Sequence, residues 1–92
     1  DFKFPRFLAM VGRKIGPNWN PPPGAKGAKA KVKFTVLRSG LVAGVDLVEP
    51  SGNFYFDQAA LRAIRASSPF PPLPEEFFQE SIVLFVDLVP KE

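Results

Sequence analysis

Lys31-Val32-Lys33-Phe34-Thr35-Val36-Leu37-Arg38-Ser39-Gly40-Leu41-Val42-Ala43-Gly44-Val45-Asp46-Leu47-Val48-Glu49 is the stretch that decides the fold. Val32, Phe34 and Val36 alternate with Lys31, Lys33 and Thr35, the period of two that a half-buried strand imposes on its side chains. Ser39-Gly40 is a two-residue turn signal, and 41–49 reads as a second strand stopped by Pro50. That turn predicts the pairs Val36 with Ala43, Phe34 with Val45 and Val32 with Leu47, all six apolar and on one face. The other face pairs Lys33 with Asp46 and Leu37 with Val42, and sets Lys31 against Val48. A slip of one residue would turn every apolar side chain to the wrong face, so the register is strongly specified.

N-terminal to the hairpin, the spacing predicts a helix over 4–15. Pro5 suits a first turn, where its missing N–H would be unpaired anyway, and Phe4, Leu8, Val11 and Ile15 form one apolar stripe. Gly16-Pro17 stops the helix, with Arg13 and Lys14 in the last turn, where the helix dipole favours cations. Asn18-Trp19-Asn20-Pro21-Pro22-Pro23-Gly24 is a stiff connector in which Trp19 is expected to seal the helix exit. C-terminal to the hairpin a second helix is expected over 57–67. There Asp57 would be the N-cap, Phe56 would staple onto Leu61, and Arg62 and Arg65 would point outward. Phe70-Pro71-Pro72-Leu73-Pro74 can be neither helix nor central strand, and packs its Phe70 and Leu73 over the core. An acidic crossover from Glu75 to Glu80 then leads to a third strand over 81–89, closed by Pro90. Ile82, Leu84, Val86 and Leu88 form its inner face; Val83, Phe85, Asp87 and Val89 form its outer one.

With the first strand over 29–38, the order is α-β-β-α-β, an α+β class. A helix that crosses over and returns makes the third strand parallel to the second, leaving a gap for the first. The expected sheet is three-stranded and antiparallel in order 2-1-3, with both helices on one face, and 1–92 is expected to be a single domain. Strands 2 and 3 are its edges.

Composition limits what such a domain does. At 92 residues a chain buries only about 60–65% of its unfolded surface, enough for one modest core. It is 46% hydrophobic and 13% aromatic, a globular composition, and it has no cysteine and no histidine. Disulfides, thiol catalysis, Ser-His and Cys-His dyads and ordinary zinc sites are thereby excluded. No catalytic, metal or cofactor-binding residue is expected, and the domain is read as non-enzymatic. No apolar run approaches the length of a membrane span. The chain opens at Asp1 without Met, so the expectation is an excised domain whose membrane tether lies outside it. Charge is unevenly distributed: 1–45 carry nine basic residues against Asp1, net +8, and 46–92 carry three against eight acids, net −5. That asymmetry suits either an anionic partner or two halves that neutralise each other on folding.

Several of these pieces, in order, resemble the C-terminal domain of the TonB/TolA family of periplasmic energy transducers. The residues carrying the resemblance begin with Ile15-Gly16-Pro17-Asn18-Trp19-Asn20-Pro21, Val32-Lys33-Phe34-Thr35-Val36 and Ser39-Gly40-Leu41-Val42. Ser51-Gly52, Phe56-Asp57-Gln58-Ala59-Ala60-Leu61-Arg62-Ala63-Ile64, Phe70-Pro71-Pro72-Leu73-Pro74 and the terminal strand complete the set. The resemblance implies an inner-membrane anchor and proton-channel complex reached through an N-terminal linker in a Gram-negative envelope. It also implies terminal-domain partners at the outer membrane: transporters, or Tol–Pal components. The Asn-Trp-Asn-Pro exit looks more like the TolA side, without separating the two subtypes.

The residues point to the same kind of role. An uncovered strand edge offers unpaired N–H and C=O groups on which an extended peptide can add as a further strand. Strand 3 is long, apolar and free of Lys and internal Pro, so the candidate partner-binding residues are Ser81, Ile82, Val83, Leu84, Phe85, Val86 and Asp87. One competing expectation is that this edge is covered by the N-terminal helix or by a second copy; another is a structural assembly domain, a homodimer in which strand 3 pairs with its own copy. Leu37, Val42, Val83 and Phe85 are expected to form an exposed apolar patch on the outer face. Lys26, Lys29, Lys31 and Lys33 could contact phosphates, but no stacking aromatic is interleaved with them. A solvated face is the favoured reading there, with no nucleic-acid partner. Glu75-Glu76 reads as a solvated loop rather than a catalytic pair.

Overall fold

The sheet is organised around β1 (Ala30–Leu37), whose Val32, Phe34 and Val36 are fully buried while Lys31, Lys33 and Thr35 are half-buried. A computed structural model describes residues 4–91; residues 1–3 and 92, part of the expected domain, lie outside the described residues. On either side of β1 run β2 (Val42–Glu49) and β3 (Ser81–Leu88), both antiparallel to it, in the order β2-β1-β3. α1 (Pro5–Ile15) precedes β1 and α2 (Phe54–Ala66) joins β2 to β3, which is the α-β-β-α-β architecture read from the sequence. Both helices share one core with the inward residues of β1, through Phe7, Val11 and Ile15 of α1 and Phe56, Ala60, Ala63 and Ile64 of α2.

The hairpin differs from its expected form in a way that largely cancels. Leu37 donates its N–H to Leu41 O at 2.8 Å, and Gly40 donates to Leu37 O at 2.8 Å, so the loop is Arg38-Ser39-Gly40, one residue longer than read. Gly40 has φ +98°, the left-handed last residue of a three-residue hairpin loop. The pairs next to the loop are therefore Val36 with Val42 and Thr35 with Ala43, not Val36 with Ala43 and Leu37 with Val42. Gly44, at φ +84°, then absorbs one residue as a bulge and restores Phe34 with Val45, Lys33 with Asp46 and Val32 with Leu47. A second shift sets Lys31 against Glu49 instead of Val48, and the two ion-pair at 3.6 Å. Val42 consequently packs against the core, and the expected outer patch loses it.

Both helices are rotated or extended relative to expectation. In α1 the buried stripe is Phe7, Val11 and Ile15, and Leu8 is 38% exposed. Burying the phenyl ring removes more apolar area than burying the leucine, so the helix turns its Phe7 flank inward. α2 starts three residues before the expected 57, because Asn53 and not Asp57 is its N-cap: Asn53 Oδ1 accepts the Phe56 N–H at 3.1 Å. Asp57, buried in the first turn, accepts the Ser51 N–H at 3.0 Å and so holds the incoming loop. The extra turn aims Phe56 into the core, where it meets Trp19 edge to face at 5.2 Å.

The Phe70–Pro74 segment lies over the core as expected, with Phe70 and Leu73 buried and Phe70 stacked on Phe34 at 5.6 Å. Phe70 N–H donates to Gly40 O at 2.8 Å and Leu73 N–H to Arg38 O at 3.1 Å. A Cβ on Gly40 would stand 1.9 Å from Phe70 O, so the hairpin loop must carry glycine for the crossover to dock.

Candidate functional site

All seven candidate residues, Ser81 to Asp87, fall in β3. β3 pairs with β1 residue by residue, from Leu37 with Ser81 to Ala30 with Leu88, with no register shift. Its inner side chains Ile82, Leu84 and Val86 pack against the core, and Leu88 is within it. Val83 and Phe85 are 50% and 59% exposed on the face away from the helices, next to Thr35 and Lys33 of β1. Leu37 is exposed on that same face, so three of the four expected patch residues remain.

The alternation of an antiparallel ladder tells which backbone groups of β3 are free. Arg38 N–H donates to Glu80 O at 2.9 Å, so even-numbered residues of β1 bond toward β3; Leu37, whose N–H goes to Leu41, bonds toward β2. Continued along the register, Ile82, Leu84, Val86 and Leu88 bond to β1. The N–H and C=O of Ser81, Val83, Phe85 and Asp87 then point out of the sheet. Among the described residues, no backbone group outside β1 bonds to 81–88, so neither α1 nor any loop pairs its backbone with this edge. The open run has a defined end. One residue past the strand, Val89 O accepts the Trp19 indole N–H at 2.7 Å, a bond that couples the helix exit to the close of β3.

Two residues, one tied to the start of the edge and one to the helices behind the sheet, had no signal in the sequence. The Arg38 guanidinium donates to Phe77 O and Gln79 O and stands 3.8 Å from Glu80, tying the hairpin loop to the residues just before β3. Ser67, fully buried, donates to Ala63 O at 2.7 Å and accepts the Asn18 amide at 3.1 Å, joining the C-terminal ends of the two helices. Both contacts span tens of residues, and nothing in local pattern marks them. Among the described residues, no group of three or more metal-ligating side chains comes together. A cleft of about 740 Å³ between Asn20–Gly27 and Val89–Lys91 is lined by prolines, glycines, two lysines and no carboxylate. No helix is long and apolar enough to cross a membrane, among the described residues.

Comparison with known proteins places this geometry. Three solution structures share the fold. TolAIII bound to a peptide derived from the N-terminus of TolB matches with TM-score 0.71 and 21% identity, over 91% of this chain and 72% of that one. The Helicobacter pylori TonB C-terminal domain matches in a longer form, with TM-score 0.70 and 26% identity, over 95% of this chain and 83% of that one. A shorter form of it matches with TM-score 0.65 and 22% identity, over 92% of both chains. No curated protein sequence matches significantly. The sequence profile of the family described as TonB C terminal covers residues 4–85, which include both helices, the hairpin and the first five of the eight residues of β3. The chain belongs to the TonB C-terminal family, and is an energy-transduction domain of the TonB/Tol type.

Proposed function

We propose that this domain couples the inner membrane to an outer-membrane partner by taking an extended segment of that partner as a fourth strand on β3. The observation carrying the proposal is the open edge, with Ser81, Val83, Phe85 and Asp87 directing N–H and C=O away from β1. Backbone groups do the binding, at about 0.5–1.5 kcal/mol net per hydrogen bond, against an association cost of roughly 4–15 kcal/mol. Weak to moderate affinity follows, which suits a contact that must release. TonB and TolA C-terminal domains are periplasmic parts of inner-membrane-anchored proteins and act as non-enzymatic transducers. By analogy the partner is an outer-membrane transporter or a Tol–Pal component, and the anchor and proton-channel complex are reached through chain before Phe4. The TolAIII structure, which holds a TolB-derived peptide on the same fold, supports a peptide segment as the ligand class. Load entering at α1 passes through the shared core into β1 and leaves along β3, where the backbone bonds are sheared together.

Titration of the isotope-labelled domain with synthetic segments from the periplasmic ends of outer-membrane transporters and Tol components tests this. Amide shifts concentrated on Ser81–Asp87 are expected. Shifts centred on β2 or on the helices instead would remove the proposal. The exposed Val83 and Phe85 beside the edge support a second reading, in which β3 pairs with that of another copy. Sedimentation at micromolar concentration separates the two: a dimer that excess peptide does not dissociate favours self-assembly.

A further inference from the structure

The strand that β3 accepts has side chains as well as a backbone, and the residues flanking the open edge specify them. An added strand bonding to Val83, Phe85 and Asp87 places every second residue beside those three, on the face that no helix covers. Its intervening residues lie beside Leu84 and Val86, at the margin of the core. Both faces of its middle therefore meet apolar surface.

At Asp87 the chemistry changes. It is the one charged residue of β3, and it is exposed. Its neighbour on β1 is Lys31, but the Lys31 ammonium is 3.6 Å from Glu49 on the far strand. Among the described residues no cation stands within ion-pair distance of Asp87, whereas Glu80, the preceding acid, has Arg38 at 3.8 Å. The Asp87 carboxylate is thus left at the open margin of the sheet, where an incoming strand places a side chain directly beside it. Like charges directly opposite each other on neighbouring strands destabilise the pair, and opposite charges stabilise it.

We infer that the segment recognised by this edge is cationic at one end: an extended peptide with apolar residues beside Val83 and Phe85 and a lysine or arginine beside Asp87. This rests on the strand-addition reading and adds a residue preference and a register to it. β-Branched or aromatic residues suit the Phe85 position, because such cross-strand pairs are the favourable ones on an uncovered face.

A charge-swap cycle tests it. The probes are capped Val-Thr-Val-Thr-Val-Thr-Val peptides in which each Val in turn is replaced by Lys, Gln or Glu, titrated into the domain and into its Asp87→Lys variant. The expected result is one position at which Lys binds tighter than Glu, by roughly twofold to tenfold. That preference reverses in Asp87→Lys and shrinks with added salt. The position identified also reports the direction of the added strand. Peptides that shift the Ser81–Asp87 amides without a charge preference, or with one that survives Asp87→Lys, overturn this inference and leave strand addition standing. Peptides that leave those amides unmoved overturn both. Circular dichroism of Asp87→Lys verifies that the exposed substitution leaves the fold intact.

Discussion

β2 and β3 are both eight-residue edge strands on the same central strand, and they treat their free margins in opposite ways. β2 is interrupted by two register shifts, one at Gly44, and carries Asp46 and Glu49 before Pro50 ends it. Bulges, charges and a terminal proline are the devices by which natural sheets blunt an edge against pairing. β3 has no bulge and only one charge: its pairing is unbroken, it lacks Gly and internal Pro, and Asp87 sits near the end that Pro90 closes. The two edges thus differ in what they permit. Local distortion blunts β2 against further strands, whereas β3 is a straight template on which the proposed partner strand would add.

The largest effect expected from breaking this arrangement is that of a proline at an inward-bonding position of β3. Leu84→Pro removes an N–H directed at β1 and should cost about 2–4 kcal/mol, read as a loss of urea midpoint. Phe85→Pro removes an N–H directed at the partner, so the domain should keep most of its stability and lose most of its peptide affinity. Equal destabilisation by the two variants would mean that β3 is not a one-sided edge. On the other edge, Gly44→Val forces a β-branched residue into φ +84° and should cost about 1–2 kcal/mol with no change in peptide binding. Altered binding in that variant would implicate β2. Smallest is Glu49→Ala, which deletes a solvent-exposed ion pair with Lys31 and should change stability by less than about 1 kcal/mol. A larger loss by thermal melting would show that β2 depends on that contact to stay paired.

The contrast between the edges was only half legible in the sequence. The alternation of Val32, Phe34 and Val36 identifies the central strand, and the helical crossover puts β3 beside it, because both signals are periodic and local. The β2 bulge was missed because Gly44 looks like an ordinary small residue until the three-residue loop displaces the register and requires its left-handed φ. The α2 start was missed for a similar reason. Asn53 and Asp57 are both competent caps, and only the core, by pulling in Phe56, chooses between them. Ser81–Asp87 could be read as an apolar strand. Which of its amides face outward follows from the Arg38–Glu80 and Leu37–Leu41 bonds, which no pattern of side chains encodes. Leu84 illustrates the consequence: from sequence it is the natural centre of the edge, yet its backbone bonds inward.

The uneven charge acquires a role from the same comparison. Lys31 and Arg38, from the basic half, are paired with Glu49 and Glu80 from the acidic half, so folding neutralises part of the asymmetry internally. Asp87 is left over at the open edge.

The measurement closest to the central claim is amide hydrogen exchange along β3 in the free domain. Ile82, Leu84, Val86 and Leu88 should exchange slowly and Val83, Phe85 and Asp87 quickly, and an added partner segment should slow the second set alone. Uniform protection of all seven amides in the free domain would contradict an open edge and the function built on it.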